Sequence, residues 1–213
     1  MANYFDQLAS QWDEDPGKLE RARITAEQML ALRPAPGGRL LEFGCGTGLL
    51  GLILADHFEA VLLVDASAAM LAQARQKLER LALPHVQTCQ SDGLADLPGG
   101  QDALVSLMVL HHVADLAGFF AQAHALLAPG GQLLVADLYP EDGSFHQHHN
   151  DFDGHHGLDP VELTQLAQAA GFANVSHAPY FTIEKTQAGT PRRYPLFLLM
   201  AQKMADANYL TEQ

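Results

Sequence analysis

Glu42-Phe43-Gly44-Cys45-Gly46-Thr47-Gly48 closes the short apolar run Arg39-Leu40-Leu41-Glu42-Phe43 and leads into Leu49-Leu50-Gly51-Leu52-Ile53-Leu54. This reads as strand, glycine loop, helix. Glycines let a backbone turn sharply and let a ligand come close. The helix start offers free N–H groups to a carboxylate or phosphate. Two glycine registers compete for the loop. Gly46-x-Gly48-x-x-Gly51 formally matches a dinucleotide fingerprint, but its first glycine comes three residues after the strand. Gly44-x-Gly46 puts Leu49 where a third glycine belongs. Glu42, two residues before the first glycine, places negative charge beside the loop. That charge repels a pyrophosphate and suits a ligand carrying an ammonium or sulfonium group. The bland alternative is a tight strand–helix turn with no ligand.

Outward from the loop, short apolar strands alternate with longer helices. Strands are expected at residues 60–64, 85–89, 102–108 and 132–137. Ser67 caps a helix whose apolar face is Met70, Leu71, Ala74, Leu78 and Leu81. Asp115 caps another, ended by Pro129-Gly130-Gly131. Asp159-Pro160-Val161-Glu162 reads as N-cap, first-turn proline and capping-box glutamate. Residues 175–184 and 194–203 form two final strands, an antiparallel hairpin with a long loop. Residues 4–33 form one or two helices over the core. The alternation implies an α/β, Rossmann-like three-layer sandwich with a mostly parallel sheet. Such sheets bind ligands beyond the carboxyl ends of their strands. One domain is expected over 1–213, with a helical cap at 1–33 and a core at 39–203.

Charge narrows the partners. The chain carries 25 acids and 12 bases, a net charge of −13, at 48% hydrophobic residues. Residues 81–184 contain 12 acids, no Lys or Arg, and ten of the eleven His. Nucleic-acid binding draws most of its affinity from basic faces, so this balance argues against it. Docking on anionic lipid is disfavoured for the same reason, and no apolar run approaches the ~20 residues of a membrane helix. The N-terminal residues lack a secretory pattern. Two cysteines, Cys45 and Cys89, make no disulfide framework. A cytoplasmic protein is expected.

Glu-x-Gly-x-Gly-x-Gly at the end of the first strand resembles the first motif of class I S-adenosylmethionine-dependent methyltransferases, and the likeness extends in element order over residues 40–203. The resemblance implies a seven-stranded sheet of order 3-2-1-4-5-7-6 with the last strand antiparallel. It implies S-adenosylmethionine as cofactor, held by Glu42, Gly44, Cys45, Gly46 and Gly48. Asp65, at the end of strand two, would take the ribose diol, with Ala66 and Met70 beside the adenine. After strand three, Ser91, Asp92 and Gly93 would meet the adenine, and Met108 after strand four would line the donor. Tyr4 and Trp12, in a segment similar to the family's donor cover, are expected against donor or acceptor. Arg21 or Arg23 could hold the donor's carboxylate. No Asn-Pro-Pro-Tyr-type tetrad follows strand four, so a small-molecule acceptor is implied.

His146, His148, His149, His155 and His156, mixed with Asp151 and Asp153, follow strand five at the ligand edge. An active-site loop, a metal site and a solvated loop compete for them. Alignment dominates methyl transfer, but a nucleophile that carries a proton also needs a base, which histidine suits. His112, His155 and His156 are the expected catalytic residues. His111, His146 and His149 are expected substrate contacts, and no metal site is assigned. The reading is methyl transfer to an O, N or S nucleophile of a neutral or cationic small molecule, because the acceptor side lacks a fixed cation. The alternatives are an NAD-dependent oxidoreductase, or a metal-binding or donor-sensing module without turnover.

Overall fold

In the computed structural model the chain is described over residues 2–34, 37–147, 149, 152–187 and 189–205. His148 and Asp151 of the histidine-rich loop lie outside the described residues. The elements are α1 (Ala2–Leu8), a 3-10 turn (Ala9–Glu14), α2 (Pro16–Ala31), β1 (Arg39–Phe43), α3 (Leu49–Leu54), β2 (Ala60–Asp65), α4 (Ala68–Leu81), β3 (Val86–Gln90), β4 (Gln101–Leu107), α5 (Leu116–Leu126), β5 (Leu127–Leu138), α6 (Pro160–Ala169), β6 (Ala173–Gln187) and β7 (Thr190–Gln202).

The seven strands form one sheet in the expected order, β3-β2-β1-β4-β5-β7-β6. β3, β2, β1, β4 and β5 pair in parallel, and β7 runs antiparallel to both neighbours. The central strands are apolar on both faces, as a doubly covered sheet requires. On one face Leu40, Leu63, Val105 and Leu134 pack with Met29 of α2, Leu50 and Leu54 of α3 and Leu71 of α4. On the other, Leu41, Leu104, Leu133 and Leu199 pack with Phe119 and Phe120 of α5 and Leu163 of α6. Every parallel strand thus aims its carboxyl end at one edge.

Local signals explain the helix starts. The side chains of Asp15, Ser67, Asp115 and Asp159 accept N–H bonds from the first turns of α2, α4, α5 and α6. Each satisfies a donor that the helix itself leaves free.

Two expectations are corrected. α5 ends at Leu126, and the strand begins at once, so Pro129-Gly130-Gly131 lies inside β5. The register shifts there, from Gln101↔Leu127 to Ala103↔Gln132. A Cβ on Gly131 would lie 2.9 Å from the Ala128 carbonyl oxygen and 3.0 Å from that of Gln101. Glycine therefore permits the close backbone approach at an irregularity. The second correction concerns the β6–β7 loop. No long loop forms, because the ladder continues to Gln187↔Thr190, with Gly189 at φ +79° in the tight turn. β7 leaves β5 after Leu196↔Leu138, so the prolines 191 and 195 sit where only β6 flanks the strand, which prolines tolerate. This two-stranded extension projects past the carboxyl edge.

Candidate functional site

A cavity of about 880 Å³ opens at that edge. Its floor is the glycine loop. Gly44 takes φ +70°, and a Cβ there would lie 2.3 Å from Val109, so this glycine admits the β4 loop rather than a ligand. At Gly46, φ +55°, a Cβ would meet Trp12 Nε1 at 3.8 Å and Met70 Sδ at 4.0 Å, ordinary contacts with two lining side chains. Gly48, left-handed at φ +81°, begins α3 and does not itself line the cavity.

Glu42 lines the floor yet is only 2% exposed. Its Oε2 accepts the Gly51 N–H at 2.8 Å. Burial pushes its carboxyl up to about 8, against that hydrogen bond and with Asp65 adding to the rise. A Cβ on Gly51 would fall 2.4 Å from both Glu42 Oε2 and Leu63 Cδ2. Gly51 is thus the close-packing residue that brings α3 onto Glu42, the packing role its spacing in the Gly46-x-Gly48-x-x-Gly51 register gives it.

Asp65 stands at the end of β2. One carboxylate oxygen accepts from Gly46 N at 2.7 Å, the other from Ser67 N at 2.8 Å. Its orientation is fixed, and each oxygen keeps a lone pair. Burial raises its pKa despite these bonds. Ala66, Met70, Ser91 and Asp92 line the same end. Gly93 does not line it; its N–H and carbonyl both bond Ser91 Oγ in a turn.

The N-terminal segment roofs the cavity with Tyr4, Phe5, Leu8 and Trp12. Two acids latch it down. Asp13 accepts from Thr47 Oγ1 at 2.5 Å and Lys77 Nζ at 2.7 Å, and Asp6 accepts from Ser67 Oγ at 2.5 Å. Both partners of Asp6 and Asp13 in the core, Ser67 and Thr47, belong to ligand-edge loops.

The far end is histidine-lined. His111 and His112 follow β4 in a 3-10 turn, and His146 ends a second one after β5. His111 is buried, and its Nδ1 lies 2.6 Å from Asp137 Oδ1. Burial alone would raise the Asp137 carboxyl, but His111 and the N–H groups of Leu138 and His111 outweigh it and hold it below its ordinary value. Burial, reinforced by His111 and His146, pushes His112 down to about 3. Burial does the same to His146, helped by His111 and Lys185. Both rings are neutral at neutral pH. His149 stacks on Tyr4 at 3.8 Å. Met108 lines the cavity in the left-handed region, at φ +60°, a conformation that costs roughly 1–2 kcal/mol outside glycine.

Beyond Gly48 and Gly93, sequence expectation and structure part company at three points. His155 and His156 do not line the cavity. His155 Nε2 lies 3.0 Å from the Val113 carbonyl, and its N–H donates to the His111 carbonyl at 2.7 Å, so it braces the loop. His156 is exposed beside Glu141 at 3.6 Å. Of the two arginines, Arg21 lines the cavity, whereas Arg23 lies outside on Glu27. Arg21 Nε is buried with no partner. Last, the cavity does contain cations. The hairpin extension lays Phe181, Ile183 and Lys185 along the wall, joined by Lys18 and Arg21. Lys185 Nζ sits 3.4 Å over the Phe145 ring, and burial brings it down to about 8. The ground for excluding an anionic acceptor therefore falls. Strand parity could have revealed this wall, because residues 181, 183 and 185 share a face.

The cavity's size suits a nucleoside-sized ligand with room to spare. The cavity thus brings together a fixed carboxylate at Asp65, a buried acid at Glu42 and an arginine, Arg21, whose Nε has no partner. Fold and site together define a class I S-adenosylmethionine-dependent methyltransferase, with S-adenosylmethionine its cofactor. Residues 18–177 match the family model described as "Methyltransferase domain", and the chain belongs to that family. An uncharacterized methyltransferase of Schizosaccharomyces pombe is 30% identical over 154 residues, 65% of this chain and 54% of that protein. A ubiquinone biosynthesis O-methyltransferase of Brucella ovis is 28% identical over 152 residues, 63% of this chain and 61% of its own. The chain thus spans less than two thirds of these relatives. A phosphoethanolamine N-methyltransferase of Haemonchus contortus, solved with phosphomonomethylethanolamine and S-adenosylhomocysteine, superposes with a TM-score of 0.68 at 18% identity, over 84% of this chain and 52% of that one. A Haloferax volcanii methyltransferase, solved in complex with a methyltransferase activator, gives 0.71 at 19% identity over 94% and 97%. At such identities the structural likeness is one of fold. The dinucleotide reading yields to the family match. No described helix is long and apolar enough to cross a membrane.

Proposed function

We propose that the chain transfers the methyl group of S-adenosylmethionine to a small molecule held at the histidine-lined end of the cavity. The observation that carries this is the continuity of one cavity from Asp65 and Asp92 to His111, His112 and His146. Bound, the donor supplies an already activated methyl group, so the chain's task is alignment and exclusion of water. Asp65 accepts from the ribose hydroxyls, and Met70, Ala66, Ser91 and Asp92 enclose the adenine. Glu42 faces the donor's positive charge, and Arg21 takes its carboxylate. Tyr4 and Trp12 close over both ligands.

The roof and the hairpin wall line one cavity of about 880 Å³, a size that supports a small acceptor over a nucleic acid or protein chain. The neutral rings of His112 and His146 can accept a hydrogen bond from an O–H, N–H or S–H nucleophile. Lys185 favours a neutral or anionic acceptor over a cationic one. Free Cys45 and Cys89 fit a reducing, cytoplasmic setting, and the N-terminal cap and sheet are proposed to act as one methyltransferase unit. Titration calorimetry with S-adenosylmethionine and with S-adenosylhomocysteine tests the donor site, and a coupled S-adenosylhomocysteine release assay over thiols, phenols, amines and carboxylated forms of each tests the acceptor. Binding of neither compound, or turnover confined to a polymer, sinks the proposal.

A further inference from the structure

Three imidazoles meet at the acceptor end from two separate loops. The ring centroids of His111 and His112 are 4.1 Å apart, of His111 and His146 5.0 Å, and of His112 and His146 5.5 Å. One nitrogen of each ring lies within 4.8 Å of the others. Around a tetrahedral zinc ion, bound nitrogens stand about 3.3 Å apart, so small ring rotations close the set.

The environment of each ring is that of a ligand. His111 has one nitrogen committed: Nδ1 faces Asp137 Oδ1, a carboxylate fixed by the Leu138 N–H at 2.7 Å. With the proton on Nδ1, Nε2 presents a lone pair, the arrangement that orients metal-binding histidines. His112 Nδ1 and His146 Nδ1 are buried without a hydrogen-bond partner. Buried polar atoms of folded proteins rarely stay unpaired, and such nitrogens call for an occupant. His146 is held in place by stacking on Phe152 at 3.9 Å and 5°.

We propose that His111, His112 and His146 form a divalent-metal site of the zinc class, with Asp137 as the residue that positions His111. Three imidazoles and no carboxylate ligand select zinc or its borderline neighbours over magnesium or calcium. Three protein ligands leave a position open, as in catalytic zinc sites. All three rings line the donor's cavity, so the open position faces the acceptor. This last point rests on the methyl-transfer reading, and it implies an acceptor whose thiol or hydroxyl oxygen can serve as a ligand; the metal site itself does not depend on that reading.

The experiment uses untagged full-length protein stripped with chelator. Zinc and cobalt are titrated by calorimetry, bound metal is counted by elemental analysis, and S-adenosylmethionine binding is measured in parallel. One zinc per chain is expected, with the visible absorption of four-coordinate cobalt. H112A and H146A should lose the metal while still binding the donor, which also shows that they fold. Asp137→Asn should weaken the metal about 10- to 100-fold. His156→Ala, outside the cavity, should keep one metal per chain. Donor binding without stoichiometric metal in the wild type overturns the site and leaves the methyltransferase reading standing. Wild-type metal affinity in H112A and H146A, or its loss in His156→Ala, overturns the assignment. Metal binding without donor binding supports the site and removes the methyl-transfer reading instead.

Discussion

Donor binding should move protons in a way that Glu42 dictates. Burial sets its carboxyl at about 8, so at pH 7 about nine tenths of the molecules carry it protonated before donor binds. A donor with a sulfonium and an ammonium beside Glu42 favours the ionised form. If the carboxyl returns to near its ordinary range, about 0.9 proton leaves per donor bound at pH 7. The donor's own α-amino group, with a pKa near 7.8, takes up about 0.1, for a net release of about 0.8. At pH 9 the balance inverts, because little Glu42 is protonated and most of the amine is not; a net uptake of about 0.8 follows. Calorimetry in two buffers of different ionisation enthalpy gives these numbers as a slope. Glu42→Gln keeps an acceptor for the Gly51 N–H but cannot titrate, so the release at pH 7 should vanish. It should also weaken the donor, by about 1–3 kcal/mol for a lost charged interaction. A wild-type slope near zero at pH 7, or a release that survives in Glu42→Gln, refutes the placement of the donor's charge.

The same carboxyl predicts a stability profile. A folded pKa above the unfolded one means stability that is present below the ordinary value of 4.5 and lost as pH rises to about 8; thermal melts without added donor should show that decline, and Glu42→Gln should flatten it. Asp65→Ala should weaken the donor about 5- to 150-fold through loss of charge-assisted bonds to the diol, and unchanged affinity in titration would mean that the ribose lies elsewhere. Gly51→Ala forces a methyl group within 2.4 Å of Glu42 and Leu63. Overpacking of this kind costs about 1–3 kcal/mol, read as a melting point lower by several degrees. Asp13→Ala removes the bonds to Thr47 and Lys77. Trp12 is the single tryptophan and lines the cavity, so stopped-flow fluorescence should show the donor leaving several-fold faster, with its arrival little changed.

Much of the frame was legible because its signals are local. β1 matches its expected bounds, Ser67, Asp115 and Asp159 cap where their spacing puts them, and the alternation of strands and helices leads to the observed sheet. The proposed donor end was legible for the same reason. Glu42, Asp65 and Asp92 each sit at or just after a strand end, and strand ends converge on one edge whatever the loops do. The histidines were legible as a group but not one by one. A loop has no periodicity, so nothing in residues 146–156 distinguishes His146, which turns inward, from His155 and His156, which brace and border the loop. Asp137 was hidden in another way. It reads as the last polar residue of a strand, and only its 2.6 Å bond to His111 reveals its work.

The charge of the cavity wall is where sequence order misled. Residues 81–184 lack a cation, and if loops after β3, β4 and β5 alone built the acceptor side, that side would lack one too. Lys185 is the first residue past the stretch. The inference failed by one position because the wall is completed by a strand that outruns the sheet. β6 keeps its pairing with β7 well beyond the end of β5, and in that extension a period of two turns residue 185 to the same side as 181 and 183. A cation on a half-buried strand, rather than on a flexible loop, is held in place. Burial and the nearby Arg21 and Lys18 keep it at about 8, so it is mostly charged at pH 7 and gains from any anion that enters. Lys185→Met should therefore raise KM for a carboxylated acceptor far more than for its neutral amide, while donor affinity holds. Equal effects on both acceptors would return the charge preference to the acids and histidines of the cation-free stretch.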